Sequence, residues 1–96
     1  MYGYQQKSFL ISYDLSQPDR NYSDLYQAIK NCGSYWTHIL ESVWIVKSTS
    51  SADQIRDQLV AAADKNDSFL VIEVTSNYSG WLTEKIWEVL RKVTSN

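Results

Sequence analysis

The 96-residue sequence predicts a small two-layer α+β domain: a four-stranded antiparallel sheet with helices in the order βαββαβ and one further helix at the C-terminus. Three observations predict it. Apolar residues alternate with a period of two in FLISYDL, recur every three or four residues in YSDLYQAIKNC, and repeat that exchange of periods further along the chain. Turn-forming clusters (SQPDRN, DKND and SNYSG) separate the periodic runs. Hydrophobic residues make up 44 % of the chain and aromatics 14 %, enough to build a core.

The first strand is FLISYDL, with Phe9, Ile11 and Tyr13 on one side and Leu10, Ser12 and Asp14 on the other. After SQPDRN, Asn21 or Ser23 can cap a helix whose stripe is Tyr22, Leu25, Tyr26, Ile29 and Cys32, and Gly33 stops it. SYWTHIL and ESVWIVKS are rich in aromatic and β-branched residues, which predicts two strands with a tight turn near Leu40 to Ser42. Ser51 with Gln54 has the form of a capping box, and Ala52, Ile55, Leu59 and Ala62 or Ala63 stripe the helix behind it. FLVIEVT supplies the fourth strand. A last amphipathic helix is expected from about Trp81 to Lys92, with Trp81, Leu82, Ile86, Val89, Leu90 and Val93 on its apolar side.

This order is the split βαβ arrangement of a ferredoxin-like sandwich, one domain over 1–96 with its core at about 7–93. Two helices cover one sheet face. The other face is expected to carry Leu10, Ser12 and Asp14 from the first strand and Val71, Glu73 and Thr75 from the fourth, with Trp44 or Val46. Such a face is too apolar for water, so a second copy of the sheet or the C-terminal helix should cover it, placing Asp14 at a rim where two elements meet.

Composition narrows the function classes. Nine basic and eleven acidic residues give a net charge of −2, so any phosphate contact must come from a local patch. A single cysteine excludes an internal disulfide framework and suits a reducing compartment. The apolar runs are too short to span a bilayer, and MYGYQQK has no apolar signal core, so a cytoplasmic protein without a membrane role is expected. Phosphate-cradling glycine loops, paired zinc ligands and a GxSxG elbow are all missing.

YDLS at the end of the first strand, an arginine in the turn, a glycine closing the helix, SVWIVKS, a capped helix and LVIEV together resemble the small CRISPR-associated adaptation proteins, the dimeric scaffold of the CRISPR integrase. The resemblance covers most of residues 8–75. It implies a homodimer in antiviral defence, with Asp14 as a metal-binding residue facing its twin across the dimer. Ser42 and Val43 fall at the family's serine–valine pair, with Trp44 at its aromatic position. It implies either a metal-dependent endonuclease acting on RNA or DNA, or a DNA-binding spacer without catalysis. The acidic balance and the helical TEKIWEVLRKV, where the family swaps a short terminal strand, depart from that pattern and mark a divergent stand-alone relative.

Two function classes follow. In the first, two copies of Asp14 hold magnesium, which polarises a phosphate and activates water; Ser12 or Ser16 orients the ligand, and Arg20 with Lys47 and Lys7 neutralises charge. The competing role for Asp14 is a strand-end carboxylate bonded to the amides of the following turn. In the second class, a non-catalytic dimer acts as a scaffold through protein or nucleic-acid contacts. His38 is a lone histidine without a carboxylate partner in sequence, and Cys32 reads as a small core residue. Trp36, Trp44 and Trp81 read as core or dimer-interface aromatics, with base stacking as the alternative, while Trp87 falls outside its helix stripe and is expected in an interface.

Overall fold

The computed structural model describes residues 5–17 and 21–94. In chain order the elements are β1 (Lys7–Asp14), α1 (Ser23–Asn31), β2 (Tyr35–Leu40), β3 (Val43–Ser48), α2 (Ala52–Ala62), β4 (Ser68–Val74) and α3 (Glu84–Thr94). The strands form one antiparallel sheet in the order β2-β3-β1-β4. This architecture is compatible with a ferredoxin-like sandwich carrying a third helix.

The two sheet faces carry separate cores. Phe9, Ile11 and Tyr13 of β1 and Trp44 and Val46 of β3 pack under α1 and α2 against Tyr22, Leu25, Ile29, Cys32, Ile55 and Leu59. Both helical stripes expected from the sequence face this core. The second helix starts as its pattern predicts: the Ser51 hydroxyl accepts from the Gln54 amide, and the Gln54 side chain accepts from the Ser51 amide. At α1 the N-cap position is Tyr22, with no side-chain cap, while Asn21 accepts from the Ser23 amide in a local turn. Gly33 follows α1 where the chain crosses the end of β3, and a Cβ there would overlap the Lys47 carbonyl. The Ser34 amide donates to that same carbonyl at 2.9 Å, so the close approach is part of the connection.

The second face belongs to α3. Leu90 and Val93 pack on Ile45, joined by Leu10, Ile39, Val74, Leu82 and Trp87. The Ser8 hydroxyl donates to the Val93 carbonyl at 2.9 Å and ties the helix end to β1. Of the two covers expected for this face, the chain supplies its own helix.

Four expectations are corrected. The second-face residues of β4 are Leu70, Ile72 and Val74, which pair with Ser12, Leu10 and Ser8, whereas Val71 and Glu73 lie with Ile11 and Phe9 on the other face. The strand begins at Ser68, and a shift of one residue exchanges the faces. Trp44 and Val46 belong to the first core, and Ile45 takes their expected place. The last helix starts at Glu84, so Trp81 stands before it, fully exposed. Its buried stripe turns toward Trp87, Leu90 and Val93, leaving Val89 exposed, so Trp87 is part of the core under the helix.

Candidate functional site

Asp14 ends β1 opposite Ser68, with its side chain in solvent. It lines a cleft of about 450 Å3 with Tyr13, Leu15, Tyr22, Tyr26, Glu41 and Ser42. Three elements bring these residues together: the end of β1, the start of α1 and the two-residue turn Glu41–Ser42 between β2 and β3. The walls are held firmly. The Tyr13 amide donates to the Ser42 carbonyl at 3.2 Å, and the Tyr13 hydroxyl donates to the Glu41 carbonyl at 3.0 Å. The Trp44 indole donates to the Tyr13 hydroxyl at 3.1 Å, beneath the cleft. Burial raises the Tyr13 phenol above its ordinary value, which keeps it a neutral donor.

Among the described residues the Asp14 carboxylate has no hydrogen-bond or ion-pair partner. The turn-binding role weighed for it falls to Asp67, just before β4. One Asp67 oxygen accepts from the Ser16 amide at 2.8 Å, the Ser16 hydroxyl at 3.0 Å and the Tyr22 hydroxyl at 3.0 Å. The other accepts from the Asp64 amide at 2.8 Å. Partial burial works to raise the Asp67 pKa. The bonds from Ser16, Asp64 and Tyr22 outweigh it and hold the carboxyl below the ordinary aspartate value. One carboxylate thus joins the end of β1, the start of α1 and the turn into β4.

The residues expected around Asp14 separate. Ser12 shares its strand face, two positions away, pairing with Val43 and Leu70. Ser16 is turned to Asp67. Lys47 pairs with Ser8 at the far end of β1, roughly 20 Å from Asp14 at about 3.3 Å per strand residue. Arg20 lies outside the described residues. His38 stacks on Trp44 with 4.1 Å between ring centres and shares a 2.8 Å hydrogen bond with the Glu41 carbonyl, so it serves the turn.

Sequence reasoning missed Glu41, the second carboxylate of the cleft. It sits in the turn residues, where no periodicity marks it. Asp14, Glu41 and the Ser42 hydroxyl are hard oxygen donors of the type magnesium takes. Among the described residues no three His, Cys, Asp or Glu side chains stand together as a metal cage. Any magnesium ion held by these three groups would keep most of its waters and take further oxygen ligands, such as a substrate phosphate.

Burial pushes the Cys32 thiol up to about 11, and it donates to the Ala28 carbonyl and to Gln58, each at 3.2 Å. It is a core group, as its place on the helix stripe predicts. Trp36 is 42 % exposed, tilted against Trp44 at 5.4 Å, with the Lys30 ammonium 4.8 Å from its ring centre. Among the described residues no helix is long and apolar enough to cross a membrane. No protein-family model matches the chain, and no curated protein matches it.

Proposed function

We propose that the chain is a non-catalytic homodimeric interaction module on a ferredoxin-like sandwich, a stand-alone scaffold of the kind its resemblance to the CRISPR adaptation proteins implies. The observation that supports this reading most is the half of the second sheet face that α3 leaves bare. Leu70 is 56 % exposed and Ile72 49 %, side by side on β4, and Trp81 stands fully exposed nearby on the connector to α3. Covering the two aliphatic side chains contributes roughly 1–3 kcal/mol per copy. A contiguous apolar strip of this kind is characteristic of a contact surface. The sequence pI of about 5.2 favours protein partners over nucleic acid.

A second reading, metal-assisted phosphodiester cleavage, is favoured by the meeting of Asp14 and Glu41 in one cleft. There the two carboxylates would hold magnesium, and the Ser42 hydroxyl would bond a phosphate oxygen or water. The metal would supply charge neutralisation and an acidified water. Ser12 shares the face of Asp14 and would orient the same ligand.

Incubation with single- and double-stranded RNA and DNA in magnesium or manganese separates the readings. The module predicts intact nucleic acid with the wild type. Cleavage by the wild type that disappears in a folded Asp14→Asn variant would replace the first reading with the second.

A further inference from the structure

Resting on the homodimer reading, we infer that two copies join through the free edge of β4, antiparallel about a two-fold axis at Val71, so that their sheets become one. The sheet has two edges, and they are not equivalent. β2 is interrupted by an irregularity in register between His38 and Leu40, the sort of bulge that blunts an edge. β4 pairs with β1 without interruption from Ser68 to Val74. Its sequence, SFLVIEV, contains no proline, lysine or arginine. Its one charge, Glu73, is already paired with Lys7 at 3.8 Å. An unbroken, weakly charged outer edge is what soluble proteins otherwise guard against, and among the described residues nothing pairs with it.

The strand is complementary to itself. A seven-residue strand pairs along its whole length with its own copy only about its midpoint, Val71. Leu70 of each copy then faces Ile72 of the other, and Phe69 faces Glu73, so no like charges oppose each other. The half-exposed second-face side chains become a continuous apolar strip across the axis. Beside it lies a groove of about 520 Å3 lined by Leu10, Ile72, Leu82, Trp87 and Trp81, and Leu70 of the second copy would stand next to its Ile72 wall. Trp81 adds about 150–250 Å2 of aromatic surface. Together with Leu70 and Ile72 it covers a sizeable part of the roughly 800 Å2 per copy of a stable interface. The net charge of −2 offers little repulsion to self-association.

This geometry has a consequence for the cleft. Asp14 lies level with Ser68, so pairing about Val71 puts the two Asp14 side chains at opposite ends of the joined sheet, roughly 25 Å apart by strand spacing and rise. Each cleft then works with its own Glu41, and the two copies do not share an ion.

The test is sedimentation velocity on wild type, Leu70→Glu, Ile72→Lys and, as a control on the exposed side of α2, Val60→Glu, with circular dichroism verifying each fold. The wild type and the control should dimerise alike. Leu70→Glu and Ile72→Lys alone should each weaken dimerisation about tenfold or more. Mixing these two variants places glutamate opposite lysine and should restore association, a rescue that loss of folding cannot mimic. A wild-type dimer undiminished in both variants, or no rescue on mixing, overturns the edge pairing while leaving the homodimer reading intact. A wild type that stays monomeric overturns both.

Discussion

Replacing Asp67 by asparagine tests how the ends of β1, α1 and the α2–β4 turn are held together. The carboxylate accepts four hydrogen bonds, three on one oxygen and one on the other. Asparagine can keep the three as neutral bonds, each weaker, but its amide nitrogen then opposes the Asp64 amide, donor against donor. Allowing for the partial exposure of the site, the loss is about 2 kcal/mol. For a domain of this size that lowers the melting temperature by roughly 8–16 °C. The folded-state pKa of Asp67 lies below its unfolded value, so its contribution is fully present above about pH 4 and is lost as the pH falls through the folded value. Urea unfolding followed by tryptophan fluorescence should therefore show the full gap between wild type and Asp67→Asn at neutral pH, and a gap that closes in acid. A gap below about 0.5 kcal/mol at neutral pH, smaller than a typical single hydrogen bond, would refute the reasoning, as would one that persists unchanged in acid.

Gly33→Ala should destabilise by about 3 kcal/mol or prevent folding, because the added methyl meets the Lys47 carbonyl and backbone cannot yield as a side chain does; a urea midpoint within error of wild type would contradict this. With its thiol pushed up to about 11, Cys32 should react with an aromatic disulfide at mildly alkaline pH only as fast as the protein opens, and reaction at the rate of a free thiol would show the site accessible. Calorimetric titration with magnesium should show no binding by the protein alone, since two carboxylates without a phosphate are a weak set; tight binding lost in Asp14→Asn would favour the cleavage reading.

The elements were legible because their periods differ. FLISYDL alternates, the Leu25–Ile29–Cys32 stripe is helical, and Ser51 with Gln54 marks a helix start by its own hydrogen bonds. Pairing register was harder to read. The apolar run FLVI has no polar residue to mark its outer face, so Val71 and Ile72 could not be assigned to faces without the partner β1. The C-terminal helix also misled. Trp81 and Leu82 extend its apolar pattern backward, but Thr83, whose hydroxyl accepts from the Ile86 amide and whose carbonyl accepts from the Trp87 amide, caps a helix that begins only at Glu84. At the site, Asp14 was legible as a strand end, whereas Glu41 and Asp67 act from turns. Their roles arise from pairings of β1 with β3 and β4 that no local pattern encodes.

Static light scattering of the wild type over a concentration series tests the central claim most directly. The homodimeric module predicts a mass that rises from 11.1 kDa toward twice that value and levels off there. A mass that remains at 11.1 kDa up to about 100 µM, where even a weak specific dimer would form, would contradict it.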